Sequence, residues 1–453
     1  MRQIGKYEIL GLLGQGGMGT VYKVLLPVAE KVVALKLLRP NDLLVSILGQ
    51  KRVEQLFQKE AKALGQIRHP NVADVLDFDY DQQGRAFFVQ EYFCMNLGLL
   101  IGEQDILEHP TRSLLPVRAV DFARQTLLGL SRLHQAGIVH RDIKPANLLL
   151  SDDEQVKIID FGLSRFQEED GKTPSNLKVG SPYYAAPEQE RDPDNVDIRA
   201  DLYSVGITLW RLLTGNLPNR AQDGLSSTGN MVLDEEWEEY LLQATAFDPD
   251  ERFQTADEML LKLDELYRRW QQRMDRVCVL SEAEDGQSLE NSSSEEELRK
   301  IRAQPVWVRK REAGEFFELD SLWRPNSYGQ SEYKSLDKTV WDKKTARLWQ
   351  KSGSAFALTW QEALSYVQQL NEQRYAGQDN WRLPTVEELF SILRPYDPER
   401  AVCLNPVFDP EKRCLWSCDQ ASSKKAWIVD TELGFVDFQD ETCRFFVRAV
   451  SCG

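Results

Sequence analysis

Three strand-like apolar runs open the chain: Tyr7 to Leu13, Thr20 to Leu26 and Lys31 to Leu38, each broken from the next by glycine or proline. The spacing then changes. Val53, Phe57, Leu64 and Ile67 recur at helical intervals, which predicts a helix over 53–67. From about 117 to 270 helices dominate, among them Val117 to His134 and Asp201 to Leu213. Residues 281–297, SEAEDGQSLENSSSEEE, are acidic, serine-rich and nearly free of large apolar side chains. Such a stretch has little to bury, so it reads as a flexible tether, or else as a solvated loop. Ordered patterning resumes near 305 and is rich in tryptophan. Two capping boxes, Thr359 with Glu362 and Thr385 with Glu388, mark helix starts. Ala426 to Asp430, Gly434 to Phe438 and Arg444 to Val450 are short strand candidates. Helices followed by short strands suggest a compact α+β domain. No tandem repeat is visible. The expected division is a strand-led part over 1–93, a helical part over 94–270, an acidic linker over 271–304 and a compact domain over 305–453.

Composition narrows the class. At 453 residues the chain exceeds one ordinary core, in keeping with two domains. A hydrophobic content of 42% with 10% aromatics suits globular domains, not a disordered chain. A net charge of −16 argues against general nucleic-acid or anionic-membrane binding, while leaving room for a local basic groove. No run of 18 apolar residues is present, so no membrane span is expected. The opening MRQIGKYEILGLLGQGG turns glycine-rich at once and does not read as a signal peptide. Seven cysteines, an odd count, then favour reduced thiols in a cytoplasm.

The residues suited to chemistry come in order. Gly14, Gly16, Gly17 and Gly19, ahead of Thr20 and Val21, let a backbone turn tightly and approach phosphate oxygens without a Cβ in the way. Strand-like runs on both sides, with no helix directly after, disfavour a dinucleotide-binding turn. Lys36 ends the apolar run Val33-Ala34-Leu35 and taken alone could be an exposed charge. Glu60 sits between Phe57 and Leu64 on the apolar stripe of its helix. A carboxylate there needs a cation, and Lys36 is a candidate; the alternative is a surface glutamate at the stripe's edge.

The most specific run is His140-Arg141-Asp142-Ile143-Lys144-Pro145-Ala146-Asn147. Asp142 can accept or orient the proton of a hydroxyl. Lys144 can neutralise charge on a phosphoryl group in transfer. Asn147 can offer an amide oxygen to magnesium, which wants oxygen ligands. Asp160-Phe161-Gly162 follows an apolar run and would supply a carboxylate to the same ion. Ala186-Pro187-Glu188 closes the segment. Arg252 could pair with Glu188, and Asp201, opening an apolar helix, could brace the backbone near Arg141.

Taken together, residues 5 to about 270 resemble a bacterial eukaryotic-type (Hanks-type) serine/threonine protein kinase. The resemblance implies a two-lobed α+β fold with ATP and Mg2+ in the cleft and protein serine or threonine hydroxyls as acceptors. It implies ATP contacts from Leu13, Gly14, Gln15, Gly16, Gly17, Met18, Gly19, Thr20 and Val21, from Ala34, Lys36 and Glu60, and from a hinge over Glu91 to Phe93. It implies Asp142 and Lys144 as catalytic, Asn147 and Asp160 as metal ligands, and Arg141, Gly162, Ser181, Glu188, Asp201 and Arg252 as structural or regulatory. Gln90 departs from the family pattern, standing where a larger apolar residue is common at the back of the adenine pocket. Ser181 stands where threonine is commoner. Residues 41–52 lengthen the approach to the helix of Glu60. Thr173 and Ser175 lie in the activation segment, and one of them is expected to be autophosphorylated and to meet Arg141. The alternative is a nucleotide-binding pseudokinase scaffold.

The C-terminal part carries a second resemblance. Thr339 to Trp349, Trp381 to Leu389, Trp416-Ser417, Ala426-Trp427 and Val447 to Val450 look like the C-terminal domain family of Legionella collagen-like proteins, which is similar to C-type lectin-like and sulfatase-modifying-factor folds. This implies a binding module for a protein or small-molecule ligand. No histidine follows His140, so a histidine-ligated metal site is excluded there. Cys403, Cys414, Cys418 and Cys443 read as core residues or, less regularly spaced than usual, as a zinc set. The six tryptophans from Trp341 to Trp427 read as core.

Overall fold

The computed structural model describes residues 3–104, 106–160, 165–166, 181, 183–193, 195–218, 233–281, 301–329, 331–397 and 402–452. The chain divides into two units, Met1–Ala283 and Glu284–Gly453.

In the first unit the expected strands become β1 (Gln3–Ile4), β2 (Tyr7–Gln15), β3 (Gly19–Leu26) and β4 (Lys31–Leu38). Helices α1 (Asp42–Leu48) and α2 (Gln50–Gln66) follow, then β5 (Val75–Tyr80) and β6 (Ala86–Glu91). The sheet order is β1-β2-β3-β4-β6-β5, all antiparallel. The period of two decides its faces. Val33, Leu35, Leu37, Phe87 and Val89 pack with Ile4, Tyr7 and Val24 on one side. Leu38, Ala86 and Phe88 meet Val53, Phe57 and Ala61 of α2 on the other. The lengthened approach at 41–52 is α1, capped by Asn41, whose Oδ1 accepts from Leu44 N at 2.7 Å.

The helical part holds β7 (Met95–Asn96), α3 (Leu97–Ile101), α4 (Pro116–Gln135), β8 (Ile138–Val139), β9 (Leu148–Leu150), β10 (Val156–Ile158) and β11 (Arg165–Phe166). Helices α5 (Pro187–Arg191), α6 (Arg199–Thr214), α7 (Glu235–Ala244) and α8 (Ala256–Ser281) complete it. Every residue of α6 from Ala200 to Leu213 is buried, so this helix is a central post and not an amphipathic surface helix. α8 runs on to Ser281, past the expected boundary at 270, so the linker does not begin at 271.

The second unit contains α9 (Lys310–Phe316), β12 (Tyr333–Ser335), β13 (Thr339–Asp342), β14 (Arg347–Gln350), α10 (Trp360–Glu372), α11 (Val386–Ser391), β15 (Cys414–Ser422), β16 (Lys425–Asp430), β17 (Val436–Asp440) and β18 (Val450–Cys452). Its sheets run β12-β13-β14-β18 and β15-β16-β17. Both capping boxes are present at the starts of α10 and α11. Trp349, Trp381, Trp416 and Trp427 are buried in the core, whereas Trp341 and Trp360 are only partly covered. The strand expected over Arg444–Val450 is not continuous. Phe445 exchanges hydrogen bonds with Leu358, while Phe446 bonds Cys414 and Trp416, so the segment bridges two neighbours before β18 starts at Val450.

Cys403, Cys414 and Cys418 are free thiols, and burial pushes Cys403 and Cys418 up to about 12. Cys94 and Cys443 each belong to a disulfide, so the expectation of reduced thiols holds for only part of the set. Among the described residues no group of three or more His, Cys, Asp or Glu is placed to hold a metal ion, and a zinc set is not formed. No helix among them is long and apolar enough to cross a membrane.

Candidate active site

Strand register starts the site. Val21 pairs with Lys36, and Lys36 with Phe88, so all three project from one face of the sheet. Helix α2 turns Glu60 toward that face, one turn after Phe57. Lys36 Nζ lies 2.8 Å from Glu60 Oε1 and 2.9 Å from Asp160 Oδ1. Exposure grades across the trio: the Glu60 side chain is 3% exposed, Lys36 13% and Asp160 48%. Burial works against the ammonium, but the charges of Asp160 and Glu60 outweigh it and hold Lys36 above its ordinary range.

The glycines divide by role. A Cβ on Gly19 would lie 2.3 Å from Leu37 O, so only glycine lets β3 close on β4 there. A Cβ on Gly14 or Gly16 would meet nothing within 4 Å. Those two positions border open space that a phosphate chain could enter. The loop is tied from behind: Arg39 N donates to Met18 O at 3.1 Å and Asn41 N to Gly17 O at 3.0 Å. Thr20 is buried and Leu13 exposed at the two ends of the turn, with Gln15 closing β2. Ala34 pairs with Gln90. Glu91 ends β6 and holds an exposed ion pair with Lys31 at 2.9 Å; Phe93 follows, partly buried.

The loop after β8 is fastened by one carboxylate. Asp201, fully buried, accepts from His140 N at 2.9 Å and Arg141 N at 2.7 Å, and its Oδ2 meets His134 Nε2 at 2.9 Å. Burial would raise this carboxyl, yet the His134 bond and the histidine charges and amide beside it leave it below the usual range. Arg141 and Asp160 both take left-handed backbone, with φ of 67° each. Non-glycine residues rarely sit there unless surrounding bonds hold them.

Those bonds converge on Asp142. Asn147 Nδ2 donates to Asp142 O at 2.8 Å and Oδ2 at 2.9 Å. Ser181 Oγ donates to Asp142 Oδ1 at 2.8 Å. Lys144 Nζ lies 3.0 Å from Asp142 Oδ2 and donates to Ser181 Oγ at 2.5 Å. Asn147 commits its donor end to Asp142, which leaves its amide oxygen as the end suited to a cation. Ile159 N donates to Asn147 O at 3.1 Å, drawing Asp160 beside Asn147. Two hard oxygen donors on adjacent segments fit magnesium, which keeps much of its water shell.

Beyond this centre, Glu188 receives a bidentate pair from buried Arg252 at 2.7 and 2.8 Å. The Arg141 guanidinium donates to Pro193 O at 3.1 Å. Gln189 Nε2 donates to Arg141 O at 2.8 Å, a link that sequence reasoning missed. Gly162, Thr173 and Ser175 lie outside the described residues.

Comparison with known proteins follows this geometry. The protein kinase domain model matches residues 7–296, and the Lcl C-terminal domain model matches residues 338–451. Serine/threonine-protein kinase pkn3 of Myxococcus xanthus is 37% identical over 223 residues, covering 47% of this chain and 38% of that protein. Probable serine/threonine-protein kinase SCO3848 of Streptomyces coelicolor is 35% identical over 278 residues, covering 57% and 40%. Serine/threonine-protein kinase PrkC of Bacillus subtilis is 30% identical over 268 residues, covering 56% and 39%. The chain thus spans about two fifths of the length of these relatives. Since the first model runs across the whole region that builds this site, the chain belongs to the protein kinase family.

Proposed function

We propose that the chain is a serine/threonine protein kinase that moves the γ-phosphoryl group of ATP to a protein hydroxyl. The observation that carries this reading is the closed set Asp142, Lys144, Asn147 and Ser181, with a hydroxyl already seated 2.8 Å from Asp142 Oδ1. A substrate serine or threonine would present its hydroxyl proton to Asp142 in the same way. Lys144 places a positive charge beside that oxygen, where charge develops during transfer. Lys36, steadied by Glu60, offers its ammonium to phosphate oxygens beneath the glycine turn. Asn147 and Asp160 would hold Mg2+, which when bound neutralises phosphate charge. Asp201 orients the loop and touches no reactant.

The relatives named as serine/threonine-protein kinases support the acceptor class. The test is transfer from labelled ATP to a generic acceptor by the purified chain, with Asp142→Asn as control. Nucleotide binding without transfer by the wild type would overturn the reading and leave a scaffold.

The second unit is, on this reading, a C-type lectin-like module that binds a protein or small molecule; nearly all of the acidic serine-rich stretch expected to link it lies outside the described residues. The Lcl C-terminal match supports a separate module there. A cytoplasmic setting is part of the proposal. So is autophosphorylation at Thr173 or Ser175, which intact mass after incubation with ATP would register.

A further inference from the structure

The sheet face that carries Lys36 has a polar residue at its far end. Gln90 pairs with Ala34, two residues from Lys36 along β4, and Val21 pairs with Lys36 itself. Paired and alternate residues share a face, so Val21, Ala34, Lys36 and Gln90 point the same way. Helix α2 covers the Leu38, Ala86 and Phe88 end of this face. The Nε2 of Gln90 is shielded from solvent and has no hydrogen-bond partner among the described residues. A buried N–H without an acceptor is costly, and proteins seldom keep one without a use. Beside it on the same face stand Phe88, two residues before it on β6, and Lys23, paired with Ala34, whose Nζ sits 5.1 Å over the Tyr92 ring. An acceptor on a bound ligand would complete it.

We propose that Gln90 reads the purine edge of the nucleotide and makes the site selective for adenine. The inference rests on the ATP reading of this cleft. Adenine presents an acceptor at N7 and a donor at its 6-amino group on one edge, and a glutamine amide matches both at once. Nε2 donates to N7, and Oε1 accepts from the 6-amino group. Guanine presents two acceptors on that edge, so the amide can satisfy only one and turns its oxygen against the other. A methionine of similar length makes neither bond.

The test is titration calorimetry on the full chain with the magnesium complexes of ATP, GTP and 7-deaza-ATP, which lacks the N7 acceptor. The wild type should bind ATP roughly tenfold more tightly than either analogue, the usual size of one bidentate base contact. Gln90→Met should bind ATP and 7-deaza-ATP alike. Equal wild-type affinity for ATP and 7-deaza-ATP overturns the inference, as does a gap that survives in Gln90→Met. The wild-type arm decides alone if circular dichroism shows the variant unfolded. N7-dependent binding without phosphoryl transfer would sink the proposed activity and leave this inference standing. A chain that binds none of the three nucleotides overturns both.

Discussion

Two buried carboxylates, one in each unit, are held by cations and differ in what they leave open. In the first unit, Glu60 holds Lys36, and the lysine then reaches Asp160, whose side chain is nearly half exposed. In the second unit, Glu388 accepts from Arg382 Nη1 and Nη2 at 2.6 Å each, from Arg347 Nε at 2.8 Å and from Thr385 N at 3.0 Å. In that second cluster the carboxylate is 1% exposed and its two arginines are partly covered. Asp419 repeats the pattern, taking Arg302, Val306 N and Val386 N. The difference teaches how to tell a chemical cluster from a structural one. Both contain buried charge, but the first ends on a carboxylate that is 48% exposed, whereas the most exposed member of the second, Arg382, is 26% exposed.

The comparison can be broken in order of expected effect. Asp142→Asn should lower phosphoryl transfer by about 10²–10⁴-fold, the range for loss of a general base, with an unchanged far-ultraviolet spectrum. Transfer that survives intact would remove Asp142 from the chemistry. Glu388→Gln should do the reverse: about 3 kcal/mol or more of stability lost in urea unfolding, since two arginines lose their anion, with transfer by the first unit unaffected. The same carboxyl supplies a pH test. Burial would raise it, but the Arg382 and Arg347 bonds and the Thr385 amide set it below 4.5. Its contribution is therefore fully present above 4.5 and is lost as pH falls through the lower folded value; Glu388→Gln should flatten that acid limb. Glu60→Gln should cost roughly tenfold in kcat/KM through a misplaced Lys36, with less effect on the melting temperature than Glu388→Gln. Smallest, Thr359→Ala should cost about 1 kcal/mol by removing the cap of α10, and transfer should not change.

What could be read beforehand follows the range of each interaction. The capping boxes of α10 and α11 close within four residues, and the strand runs of the first unit carry their own period, so both were legible. The Lys36–Glu60 pair was legible because an apolar helix stripe interrupted by a carboxylate demands a cation. Ser181 on Asp142 and Gln189 on Arg141 O were not. Those bonds join residues 39 and 48 positions apart, and no local pattern reports them. β15 was missed for another reason. Its ladder with β16 shifts register twice, between Trp416 and Ser422, so the alternation that marks a strand is lost there.

The bond from Ile159 N to Asn147 O bears on how such a site endures. It joins the two prospective magnesium donors through main chain alone. Replacing a neighbouring side chain can retune either donor, but no ordinary side-chain exchange deletes a peptide N–H and carbonyl, proline at Ile159 excepted. The spacing of the donors is thus sheltered from most mutation, while the residues around them remain free to drift.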